Sequence, residues 1–150
     1  MTDIKFKKIK SSFNDSAIMN VFSGCVYMPT QEKLNKYADE YMGNESISIF
    51  GAFVSGHIAG VIAAEMIQEK MAMCRGIAVD TQYRRRGIGK QLIQYCYKTL
   101  NLNELHAETD DDAVEFYINC GFTVEKFFRQ SENGEYARYR CIFNNEQHNA

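Results

Sequence analysis

Between Tyr83 and Gln94 the sequence reads YRRRGIGKQLIQ, which gathers Arg84, Arg85, Arg86 and Lys90 around Gly87, Ile88 and Gly89. A strand-like stretch, GIAV, ends just before it and a helical pattern begins inside it. A helix start offers unpaired backbone N–H groups and a partial positive charge, and both suit a phosphate. Glycine has no Cβ to hold an anion away from the backbone, and arginine adds hydrogen bonds to phosphate oxygens. As chemistry, the turn asks for a di- or triphosphate. As structure it is equally a solvated basic turn, and the local spacing alone leaves both readings open. Nucleic-acid binding is a third reading, opposed by a net charge of −2 and by the lack of a second basic cluster.

Two familiar phosphate loops do not fit. A Walker A loop has glycine, four residues, then Gly-Lys-Ser/Thr. Here Arg84 stands at the first glycine and Gln91 at the hydroxyl position. The dinucleotide fingerprint needs a third glycine where Leu92 stands, and a parallel βαβ setting. Metal chemistry has no better support, because the three histidines and five cysteines never fall at ligand spacing and no CxxC pair occurs. Dispersed cysteines in odd number, with no apolar h-region in MTDIKFKKIK, lead us to expect reduced thiols, mostly core residues, in a cytoplasmic protein. No apolar run reaches the ~18–20 residues of a membrane span.

The surrounding elements decide what such a turn can do. A chain of 150 residues with 45% hydrophobic and 24% charged residues suits one domain. Ile4 and Phe6 alternate with polar residues as in a strand. Ile18, Val21, Phe22 and Cys25 have helical spacing, and Thr30 is placed to cap a second helix after Pro29. SISIFGAFV and HIAGVIAAEM read as strands joined at Ser55-Gly56, and MAMCRGIAV follows a break at Gln68–Lys70, so three strands form a meander. Ile88, Leu92, Cys96 and Leu100, widened by Ile93 and Tyr97, give an amphipathic helix. ELHAET is a short strand. DDDAVEFYINCG is a helix with acids at its start and Gly121 at its end, its apolar face formed by Ala113, Phe116, Tyr117 and Cys120. FTVEKFF and ARYRCIF pair across Asn133-Gly134. The expected order is β-α-α-β-β-β-α-β-α-β-β, an α/β (α+β) mixed sheet with helices on its faces in a single domain of residues 1–150, ending in a polar tail over 144–150.

At this point the sequence resembles a known family. Arg84-Arg85-Arg86-Gly87-Ile88-Gly89 matches the Arg/Gln-x-x-Gly-x-Gly/Ala motif of the GCN5-related N-acetyltransferases, the GNAT family. AVEFYINCGF, Ala113 to Phe122, is similar to that family's second signature, Ala-x-x-x-Tyr-x-x-x-Gly-Phe. The two occur in the family's order, joined by a helix and a short strand. The resemblance implies a GNAT-like fold and acetyl-coenzyme A as acyl donor. It implies that amides from Arg85 to Lys90 hold the pyrophosphate, with Arg84 leading the motif and Arg85 and Arg86 steering the anion. The pantetheine arm would bond main-chain groups along Ile77, Ala78 and Val79 like an added strand, between CRGIAV and ELHAET splayed apart.

The implied reaction is acetyl transfer to a primary amine of a small molecule or of a peptide or protein, by direct attack in a ternary complex. An N–H on the Ile77–Val79 strand would meet the oxyanion, and Tyr117 aligns with the tyrosine near the thioester sulfur as general acid. The strand glutamate that some members use as base is Met73 here. Glu65 acting through water, His57 and His106 are the other titratable candidates, and a water chain is a further route. Asp110 stands where the family often has Asn, and capping the following helix is its expected role. The acceptor would lie against the two N-terminal helices and the last hairpin. Phe22, Tyr27, Tyr37, Tyr41, Phe127, Phe128 and Tyr136 there, with Glu32, Asp39 and Glu40, form either a wall for a cationic amine or an ordinary core with a solvated rim. The other functions left open are a non-catalytic acyl-CoA-binding sensor and transfer of a different acyl group or to a different acceptor. Family members are often homodimers.

Overall fold

A computed structural model describes residues 3 to 144. The element order is β1 (Ile4–Lys8), α1 (Ser16–Phe22), α2 (Gln31–Gly43), β2 (Ile47–Val54), β3 (His57–Gln68), β4 (Met71–Val79), α3 (Ile88–Thr99), β5 (Glu104–Thr109), α4 (Val114–Asn119), β6 (Thr123–Ser131) and β7 (Gly134–Phe143). This is the expected order, in one seven-stranded mixed sheet with strand order β1-β2-β3-β4-β5-β7-β6. Apart from Asn144, the polar tail lies outside the described residues. None of the described helices is long and apolar enough to cross a membrane.

Local chemistry sets the boundaries. Asp15 accepts from the backbone N–H groups of Ala17 and Ile18 to start α1, and Thr30 Oγ1 accepts from Lys33 N to start α2. Ser55 and Gly56 take consecutive left-handed conformations, the type I′ geometry that matches strand twist. The last hairpin departs from expectation by one residue. Ser131 pairs with Gly134, so Glu132 and Asn133 form the tip, and only Gly134 is left-handed, at φ 106°. A left-handed glycine that follows two residues of negative φ makes a bulged turn rather than a type I′ turn.

The central strands are buried on both faces, while β6 is largely exposed. On one face Leu92 of α3 and Tyr117 of α4 share a core with Phe50, Ile62, Leu105 and Phe143 of the sheet. Beneath α1 and α2 lie Phe13, Phe22, Tyr41, Ile49 and Val61. Phe22, Tyr37 and Tyr41 belong to this second core, with ring centroids 5.5 to 6.0 Å apart, so the ordinary-core reading holds for these three aromatics. All five cysteines are free. Cys96, Cys120 and Cys141 are buried, Cys74 is half-buried and Cys25 is exposed.

Two irregularities interrupt the middle of the sheet. In the β3–β4 pair the register passes from Ala63↔Gly76 to Ala64↔Cys74, which leaves Arg75 as an extra, bulged residue. The parallel β4–β5 pair holds for only three positions, Met71↔Glu104, Ala72↔Leu105 and Met73↔His106. Beyond Met73 the two strands separate.

Candidate active site

Where β4 leaves β5, a cavity of about 1030 Å³ opens. Asp80 N donates to Ala59 O at 2.8 Å and therefore faces β3. Because backbone polar groups alternate along a strand, those of Val79 and Ile77 face the opened side. Arg84 Nε donates to Val79 O at 3.1 Å, in agreement with that direction.

At one end of the cavity lie Arg84, Arg85, Gly87, Ile88, Gly89 and Lys90, around the N-terminus of α3. Arg85 at φ 66° and Gly87 at φ 76° both turn the backbone through the left-handed region. Arg86 is not part of the wall; its guanidinium sits over the Tyr83 ring at 5.5 Å. The two glycines have different reasons to be glycine. A Cβ on Gly87 would meet only Gln91 Nε2, at 3.8 Å, so its constraint is the positive φ. A Cβ on Gly89 would lie 2.7 Å from the Phe116 ring, so Gly89 is where α3 and α4 touch. Gly89→Val is therefore expected to destabilise the fold by about 1–3 kcal/mol through overpacking. Urea unfolding would measure the loss, and Phe116→Leu in the same chain should restore part of it.

Tyr117 lines the far end of the cavity, from the α4 side. Its hydroxyl lies beside the Cys74 thiol, and burial, reinforced by that thiol, holds the phenol well above its ordinary range. Burial pushes the Cys74 thiol up to about 12. Glu65 stands outside the wall, on β3 opposite Met73. Arg75 Nε donates to its Oε1 at 2.8 Å, and Asn44 Nδ2 lies 3.4 Å from Oε2. His57 is exposed next to the β2–β3 turn, His106 pairs with Glu104 at 2.7 Å, and neither lines the cavity. Asp110 caps the turn into α4, its Oδ1 accepting from Asp112 N and Ala113 N at 3.0 Å.

Sequence reasoning did not single out Cys25, Cys74, Arg75, Glu108 or Arg138, all of which line the cavity. Glu108, on β5, ties together three strands. Its Oε1 accepts from Arg129 Nη2 at 2.6 Å, and its Oε2 accepts from Arg129 Nε at 3.2 Å and Arg138 Nε at 3.0 Å. The hydrogen bond from Arg129, with that from Arg138, holds its carboxyl below the usual range. A depressed carboxylate contributes stability above its unfolded pKa and loses it as pH falls through the folded one. Acidification below the ordinary carboxylate range should weaken the side-chain tie between β5 and the β6–β7 hairpin, the backbone ladder remaining. Thermal unfolding against pH is expected to show a shallower acid limb in Glu108→Gln.

A model of the acetyltransferase (GNAT) family matches residues 16–122, a span that includes both the α3 turn and Tyr117. The chain belongs to the GNAT family. Among curated GNAT-like relatives, N-alpha-acetyltransferase 30 of Xenopus laevis is 28% identical over 142 residues, covering 87% of this chain and 51% of its own length. The chain thus spans about half the length of that relative. Two solved structures share the GNAT fold over almost the whole chain. The ribosomal-protein-S18-alanine N-acetyltransferase from Escherichia coli superposes with a TM-score of 0.67 at 20% identity, covering 96% of this chain and 94% of that one. A GNAT family acetyltransferase from Elizabethkingia anophelis with acetyl-CoA bound gives 0.65 at 15% identity, covering 94% and 97%. At these identities the likeness is one of fold.

Proposed function

We propose that this GNAT protein transfers the acetyl group of acetyl-CoA to a primary amine of a small molecule, peptide or protein. The observation that carries the reading is the open edge of β4, which leads from the basic N-terminus of α3 to the Tyr117 hydroxyl. The residues present fit the cofactor: Arg84, Arg85 and Lys90 offer cations beside free helix-terminal amides for a pyrophosphate. The backbone groups of Ile77 and Val79 on the opened side offer strand-like hydrogen bonds to a narrow amide-bearing arm. Arg84, now on Val79 O, would yield that carbonyl to the arm.

When bound, acetyl-CoA supplies a thioester carbonyl for attack and a thiolate leaving group. The chain positions both partners. With acetyl-CoA bound, the neutral amine nitrogen would bond to the carbonyl carbon as the carbon–sulfur bond broke, the sulfur leaving with the electron pair. The Ile77 N–H donates to the developing oxyanion. Tyr117 would donate its proton to the departing sulfur, the amine's excess proton would pass to water, and water would return a proton to the tyrosinate. Burial raises both the Tyr117 phenol and the neighbouring Cys74 thiol, so both keep their protons through the neutral range.

The test is thiol release from acetyl-CoA across polyamines, aminoglycosides, amino acids and peptides. Turnover of at least one class is expected, and none would count against the reading. One observation favours a second reading, a CoA-binding module without turnover: Glu65 and Glu108 are both held by arginines, so neither is a free base. Tight acetyl-CoA binding without thiol release would select it.

A further inference from the structure

Two arginines flank the slit on the face opposite Tyr117. Alternation along β5 sends Leu105 and Ala107 into the core under α3 and α4 and Glu108 to the other face. Arg138, paired opposite Phe127, reaches Glu108 there. Across the slit Arg75 stands out from the β4 bulge and is tied to Glu65, which shares its face of β3 with Val61 and Ala63. Both arginines line the cavity.

The way they are tied is informative. Among the described residues, each guanidinium makes its ion pair through Nε, at 2.8 Å for Arg75 and 3.0 Å for Arg138. Nε pairing fixes the plane of a guanidinium and leaves its two terminal nitrogens to donate. The carboxylates are in the reverse condition. Glu108 accepts three hydrogen bonds from two arginines, and Glu65 accepts from Arg75 and Asn44. An incoming ammonium would have to displace an arginine to reach either carboxylate, whereas an incoming carboxylate meets donors already oriented in a fork.

We infer that the acceptor amine carries a carboxylate close by, gripped by the terminal nitrogens of Arg75 and Arg138; the inference rests on the acetyl-transfer reading. The shared chemistry is an amine with a carboxylate a few bonds away. It can come from a free amino acid or from a peptide amino terminus followed by an acidic residue. Polyamines are disfavoured.

The experiment measures kcat/KM by thiol release from acetyl-CoA in three arms. The first compares free amino acids with their amides, the second peptides with Asp or Glu after the first residue against the same peptides with Lys, and the third is spermidine. A charge-assisted pair corresponds to about tenfold or more, so at least one carboxylate arm should exceed its partner by that factor, mainly through KM. The first arm alone showing it names an amino acid, the second an acidic peptide. In Arg138→Gln and in Arg75→Gln the ratio should fall toward one. Retained thermal stabilisation by acetyl-CoA would show each variant to be folded, and Arg138→Lys should give an intermediate ratio because it keeps charge without the fork. Equal rates for acidic and basic acceptors, a preference for spermidine, or an unchanged ratio in folded variants overturns the inference while leaving acetyl transfer standing. No thiol release from any acceptor overturns the transfer reading and this inference with it.

Discussion

Replacing Gly87 with glutamate is expected to abolish the thermal stabilisation that acetyl-CoA gives the wild-type protein. A ligand that binds only the folded state at a hundredfold excess over its Kd stabilises by about 2.7 kcal/mol. For a chain of this size that corresponds to a Tm rise of roughly 5–10 °C. The substitution acts twice. It puts a carboxylate at the N-terminal cap of α3, where the pyrophosphate is proposed to lie, and it places a side chain at φ 76°. The second effect costs about 1–2 kcal/mol but meets no steric barrier, because a Cβ there has only Gln91 Nε2 nearby at 3.8 Å. Gly87→Asn separates the two: asparagine tolerates the left-handed region and adds no charge, so it should keep most of the shift. A full shift in Gly87→Glu at millimolar acetyl-CoA would place the phosphates elsewhere.

Tyr117→Phe is expected to lower kcat by about 10²–10⁴, the range of a positioned proton donor, with little change in KM for acetyl-CoA. The ring keeps its edge contacts with Phe116 and Phe122, at centroid distances of 5.2 Å, so the fold should tolerate the change. The pH profile adds a second readout. A group whose folded pKa is raised keeps its proton through the neutral and alkaline range, so loss of the Tyr117 proton should not shape the alkaline limb below about pH 10. Wild-type turnover in Tyr117→Phe would remove the tyrosine from the proposed mechanism.

Much of the fold could be read from periodicity because each pattern reports a face that is in fact buried. Ile88, Leu92 and Cys96 recur at helical spacing and all three lie in the core. The Ser55-Gly56 turn was readable for the same kind of local reason. The final turn was misplaced by one residue because Asn-Gly serves equally in a type I′ turn and at the end of a bulged one. In the site, the two signature motifs marked the α3 turn and Tyr117, both local in sequence. What they could not mark is long-range. The Arg75 bulge depends on β3 register, the Glu108 clasp joins residues 21 and 30 positions apart, and Gly89 is explained by Phe116 on another helix. Aromatic residues at 22, 37 and 41 are equally at home in a core or a pocket wall, and only packing separates the two.

The opened edge of β4 has a consequence for association. On the outside of a sheet, a run of free N–H and C=O groups templates pairing with other chains and invites fibril growth. Here the opened stretch is interior, between β4 and β5, and partly engaged, since Val79 O already accepts from Arg84 Nε. It is reached through the cavity walled by residues of α3, α4, β5 and β7. Because β4 is an interior strand of the sheet, its unpaired stretch is not a rim, and the protein keeps an opened edge without presenting it as one.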